Sequence, residues 1–228
     1  MAATAAAANL TIICPEYRLA PEHPFPAGLN DALSVYKAMI KDQGYKPENI
    51  VFVGDSAGGG MVAAMALQLQ REGVPLPAAL GMFSPWSDAT EAGDTKVTMT
   101  GLDPIIAGLD PNSPTDAPSG GIIYVGGNVS QLRNPLVSPV QADWAELFPK
   151  GSLPPTLIQV GLREVLLSDA LRLYHKMRKA AARGHVVLSP YEGMWHNFQG
   201  YVNIPEAAVA SQEMGEHFDC ALKGRVCK

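Results

Sequence analysis

The chain has 228 residues, 47% of them hydrophobic and 17% charged, a size and balance that suit one α/β domain around a buried sheet. Its net charge of -5 offers no basic face for a phosphate backbone, which argues against nucleic-acid binding. No apolar run approaches the roughly 20 residues of a membrane span, and the opening MAATAAAAN lacks the charged and apolar regions of a secretory leader. The cysteines Cys14, Cys220 and Cys227 are few and scattered, which fits reduced thiols and a cytoplasmic protein. Cys14 lies in an apolar run and is expected to be buried, whereas Cys220 and Cys227 could pair only under oxidation.

Apolar runs alternate with helical patterns along the chain, the mark of βαβ units and a mostly parallel sheet flanked by helices. Residues 10–14 (LTIIC) form the first predicted strand. After a proline-rich connector, Leu29, Ala32, Leu33, Tyr36, Met39 and Ile40 recur at helical spacing, and Gly44 stops that helix. A second strand follows at 50–53 (IVFV), then a helix over 57–70 and a third strand at 79–83 (ALGMF). Residues 84–128, rich in Gly, Pro, Asp, Ser and Thr, break the pattern and read as a functional loop or a small lid-like insertion. Order returns with a strand at 156–160 and a helix marked by Leu167, Ala170, Leu171, Tyr174 and Met177, which Gly184 closes. A fifth strand at 186–188 and a helix over 206–222 complete a single domain, 1–228, without repeats or linkers.

The sharpest chemical signal is Gly54-Asp55-Ser56-Ala57-Gly58, a G-x-S-x-G string between a strand and a helix. In that context it reads as a nucleophile elbow, a tight strained turn that lifts the hydroxyl of Ser56 above the sheet. Small residues at Gly54 and Gly58 are expected to keep the turn free of clashes. The N–H of Ala57, at the helix start, is placed to help hold an oxyanion. A serine needs a base, and the base needs an acid to orient it. Only His196, on the loop past the last strand, lies at the edge where the elbow sits. His23, His175, His185 and His217 read as surface or packing residues. The chain order Ser, acid, His then points to the strand before the histidine's own. Glu164 lies in the loop right after it, and Asp169, already in the helix, is the alternative acid.

With those residues in place, the chain resembles the hormone-sensitive-lipase family of esterases. Residues 17–27 (YRLAPEHPFPA) look very like that family's connector, and 54–59 (GDSAGG) like its serine motif. Residues 84–88 (SPWSD), 135–139 (PLVSP) and 193–198 (GMWHNF) extend the likeness. The resemblance implies an α/β-hydrolase fold, no metal or organic cofactor, and hydrolysis of short- to medium-chain esters. Where the family commonly has Asp in a D-P-L-like motif, this chain reads Glu164-Val165-Leu166. The family also has an H-G-G-G-type loop upstream, whose N–H groups supply most of the oxyanion hole; this chain shows no such loop. The family's first strands and N-terminal lid helices are likewise not found here.

One strand of the family would lie between residues 10–14 and 50–53. Either those two runs pair directly, or the sheet carries an unpaired gap, and an open apolar edge invites a homo-oligomer. The expected activity is therefore a serine ester hydrolase weakened at its oxyanion hole. The alternatives are a non-catalytic relative that binds a small ligand or a partner, and an oxyanion loop encoded upstream of Met1.

Overall fold

The computed structural model describes residues 2–106, 119–149, 151–182 and 185–225. Four strands, β1 (Val51–Asp55), β2 (Ala79–Phe83), β3 (Thr156–Gly161) and β4 (Val186–Tyr191), lie side by side in that order and run parallel throughout. Their β-branched and aromatic residues suit a sheet buried on both faces.

Side chains alternate between two cores. Leu80, Met82, Ile158 and Val160 face α3 (Ala57–Glu72) and α7 (Leu167–Ala180), together with Trp144 and Phe148 at α6 (Trp144–Leu147). Ala79, Phe83 and Leu157 face α8 (Pro205–Leu222), where Met214 and Phe218 close the layer. Gly81 shares that face because α8 comes so near; a Cβ there would sit 2.6 Å from both Met214 and Phe218. Helix α2 (Ala27–Lys41) buries Leu29, Ala32, Leu33 and Tyr36 against the far side of α3. Helix α3 ends where Gly73 turns left-handed, φ 65°, and returns its N–H to Leu69 and Gln70.

Residues 10–14 correct the first expectation. They join no strand ladder, and Ile12 and Ile13 stay 44% and 47% exposed. A strand needs a neighbouring strand for its N–H and C=O groups, and this run has none among the described residues; the Leu10 N–H instead donates to the Ala5 carbonyl at 2.8 Å. Cys14 is accordingly exposed, not buried. The alanine-rich start, for which no element was expected, forms α1 (Ala2–Ala8). It packs on α8 where Gly215 admits Ala7.

Residues 10–14 do not pair with the run at 50–53, and among the described residues β1 is the terminal strand of the sheet. The Ile50 carbonyl and the Ser56 N–H both turn toward β2. By strand parity, Val51, Val53 and Asp55 point theirs outward.

In 84–128 the described residues form two short helices, α4 (Thr95–Thr98) and α5 (Gly120–Tyr124), among turns. Gly184 and Cys227, invoked above as a helix stop and a thiol, lie outside the described residues.

Candidate active site

Strand β1 delivers the elbow. Ser56 has φ 55° and ψ -121°, a strained backbone for a residue with a side chain. Three hydrogen bonds hold it there. Its N–H donates to the Phe83 carbonyl at 2.9 Å, and its own carbonyl accepts from Trp86 N–H at 2.9 Å and Gly60 N–H at 3.1 Å. Gly54 must lack a side chain, since a Cβ would run into the backbone of Gly58. Gly58 itself corrects the expectation of a clash: a Cβ there meets nothing within 4 Å. Its part is to be the backbone that Gly54 abuts. Ala57 opens α3, so its N–H is among the donors a helix start leaves unpaired.

Past β4, the loop that follows Tyr191 returns His196 to this rim, buried at 3% exposure. Its Nε2 stands 3.0 Å from Ser56 Oγ. Its Nδ1 faces Glu164 Oε1 at 3.5 Å, a long contact that a small ring rotation tightens. Glu164 is wholly buried in the turn between β3 and α7. Its Oε2 accepts from Gly161 N–H at 2.8 Å and from Ser84 Oγ at 2.7 Å. These two donors offset the burial of the carboxyl group. Hydroxyl, imidazole and carboxylate thus stand in line, an arrangement able to pass a proton from Ser56 to His196 while Glu164 fixes the ring.

Asp169 is elsewhere. On the first turn of α7, its Oδ2 accepts the N–H groups of Ser87 and Asp88, each at 3.1 Å, and Oδ1 has no partner. Burial raises its pKa to about 6, against the pull of the Lys96 charge. Asp88, at 2.5 Å from Arg172 Nη1, is pushed up by burial, but its bonds from Thr90 and Arg172 outweigh that and hold it below the usual carboxylate range. Among the described residues no three His, Cys, Asp or Glu side chains cluster as a metal site.

Three parts of the site escaped the sequence reading. Ser84, at φ 46° on the end of β2, donates to Glu164 and accepts from Asn197 N–H at 3.2 Å. Asn197 Nδ2 donates to Asp55 at 3.2 Å. A pocket of about 130 Å³ opens beside Ala57, lined mainly by Tyr17, Met61, Trp86, Tyr124, Leu136 and Val137. Burial lifts the Tyr124 phenol to about 12. The signal for Ser84 was available, because a hydroxyl just past a strand of this sheet stands on the same rim as the elbow.

Known proteins place the chain. The sequence pattern that defines the α/β hydrolase fold family matches residues 1–200. An esterase of Acinetobacter venetianus is 33% identical over 209 residues, which cover 91% of this chain and 64% of that protein. An acetyl-hydrolase of Streptomyces hygroscopicus is 33% identical over 210 residues, covering 92% and 64%. This chain therefore spans somewhat less than two thirds of the length of these relatives. A crystal structure of an esterase from the bacterial hormone-sensitive lipase family superposes with a TM-score of 0.83 at 33% identity, covering 96% of this chain and 69% of that one. The match over residues 1–200 makes this chain a member of the α/β-hydrolase fold family, and the superposition makes it akin to the hormone-sensitive-lipase esterases.

Proposed function

We propose that the chain is a serine hydrolase of carboxylic esters with short acyl groups. The observation that carries this reading is the alignment at the rim, with Ser56 Oγ 3.0 Å from an imidazole whose other nitrogen faces a buried carboxylate. Ser56 Oγ attacks the ester carbonyl as His196 Nε2 takes its proton. Glu164 holds the ring and stabilises the imidazolium. His196 then protonates the departing alcohol, and a water deprotonated by the same nitrogen attacks the acyl group on Ser56. The Ser56 Oγ–acyl bond breaks, the carboxylic acid leaves, and His196 returns the proton to Ser56. The Ala57 N–H receives the oxyanion. In other hydrolases one such donor is worth about 10²–10³ in kcat, which is the weight this reading places on the Ala57 N–H. The aromatic and aliphatic walls around Trp86, Tyr124 and Met61 suit an acyl chain of a few carbons.

No described helix is long and apolar enough to cross a membrane. The outer edge of β1 offers unpaired backbone groups to a second copy, which makes a homo-oligomer the expected assembly. Hydrolysis of p-nitrophenyl acetate and butyrate, compared with Ser56→Ala, tests the reading. A rate at least about 100-fold lower in the variant supports it; equal rates end it.

A further inference from the structure

The hydrogen bonds at the rim close into a ring that the proton path alone does not need. From Ser56 the path runs to His196 and Glu164. It then continues from Glu164 to Ser84, from Ser84 to the backbone N–H of Asn197, and from the Asn197 side chain to Asp55, the residue before Ser56. Four segments that are far apart in sequence meet in it: the ends of β1 and β2, the β3–α7 turn and the loop after β4. The hub is Ser84, which is completely buried and held at a positive φ of 46°. A strained backbone for a non-glycine residue persists only where its surroundings enforce it. Here it brings one hydroxyl within reach of both the acid and the residue that follows the base.

We infer that Ser84 is a positioning residue, which pins Glu164 Oε2 so that Oε1 is aimed at His196. The inference rests on the reading of Glu164 and His196 as acid and base. Its reasoning is geometric. Apart from the imidazole, the two donors to Glu164, Gly161 N–H and the Ser84 hydroxyl, meet the same oxygen, Oε2. Without the hydroxyl, the carboxylate hangs from a single backbone N–H and is free to turn about its last bond. By the same stroke Asn197 N–H loses its acceptor, and the segment carrying His196 loses its tie to β2.

A carboxylate that turns away from Nδ1 stabilises the imidazolium less. The charged groups joined to His196 through this ring are Glu164 and, across Asn197, Asp55.

The test is proton NMR of the whole chain, following the Nδ1–H signal of His196 and the titration of its ring. It needs no turnover. Ser84→Gly is the main variant, since glycine is at ease at positive φ, and Ser84→Ala checks it. Both are expected to lose or shift upfield the Nδ1–H signal and to lower the titration by about half a pH unit or more. In a Glu164→Gln background, the same change should have little further effect. An unchanged signal and titration in Ser84→Gly would overturn the inference, and so would an equal effect in both backgrounds. A titration that rises would also overturn it, because a hydroxyl that only drains charge from the carboxylate leaves a better partner behind when removed. If Glu164→Gln alone leaves His196 untouched, the acid assignment fails instead, and the two failures are told apart.

Discussion

Two buried carboxylates five residues apart, Glu164 and Asp169, organise two neighbouring regions in opposite ways. Glu164 spends one oxygen on its supports and presents the other to an imidazole. Asp169 spends one oxygen on the Ser87 and Asp88 amides and leaves the other unpartnered among buried groups. Equal burial therefore does not confer equal function. What separates them is the second oxygen: at the rim it has a base to face, while in the brace behind the rim it has no partner, and burial raises the pKa of that group to about 6.

The largest effect that breaks this contrast is Glu164→Gln, which is expected to lower kcat for p-nitrophenyl butyrate by about 10²–10⁴. Steady-state kinetics of Asp169→Asn should show a change of only a few-fold. A larger loss for Asp169→Asn than for Glu164→Gln would reverse the two roles.

Stability sharpens the contrast further. The pKa of Asp169 in the fold lies above its value in the unfolded chain, near 3.9. Its contribution is therefore fully present below about pH 4 and is lost as pH rises through about 6, by on the order of 3 kcal/mol. Asparagine keeps an acceptor for the two amides and offers a neutral NH₂ where Oδ1 stands alone. Urea unfolding should then find Asp169→Asn gaining on the parent between pH 4.5 and 7.5, and a gap that stays constant would refute the assignment of that pKa. A smaller effect is expected for Arg172→Gln. It removes the partner of the wholly buried Asp88, but the guanidinium is 40% exposed and solvent screens the pair. A loss of about 1 kcal/mol in the same measurement at pH 7 is expected.

Much of this was legible in the residues. The run at 50–53 before Gly54, and the small residues after Ser56, mark strand, turn and helix by local chemistry alone. Glu164 and Asp169 could be ranked because one precedes the helix and the other lies within it. Residues 10–14 were not legible in the same way. LTIIC has the same β-branched character as IVFV, yet only the second run becomes a strand. The difference lies in a neighbour: Ala79–Phe83 pairs with β1, and nothing described pairs with 10–14. Propensity is local, whereas a ladder is shared between two segments. The rim position of Ser84 was open to view, but its bonds were not, for a related reason: its partners Glu164 and Asn197 are 80 and 113 residues away.

The outward-facing groups of β1 give the serine's strand a two-beat rhythm that solvent can read. Amide protons of Phe52 and Gly54 are locked into the bond with β2, while those of Val51, Val53 and Asp55 look the other way. Deuterium uptake should therefore alternate residue by residue up to the elbow, slow on even positions and fast on odd ones. Any peptide segment that lies down along this margin would silence the fast beats. It would also clamp, from its unsupported flank, the strand from which the reactive hydroxyl hangs.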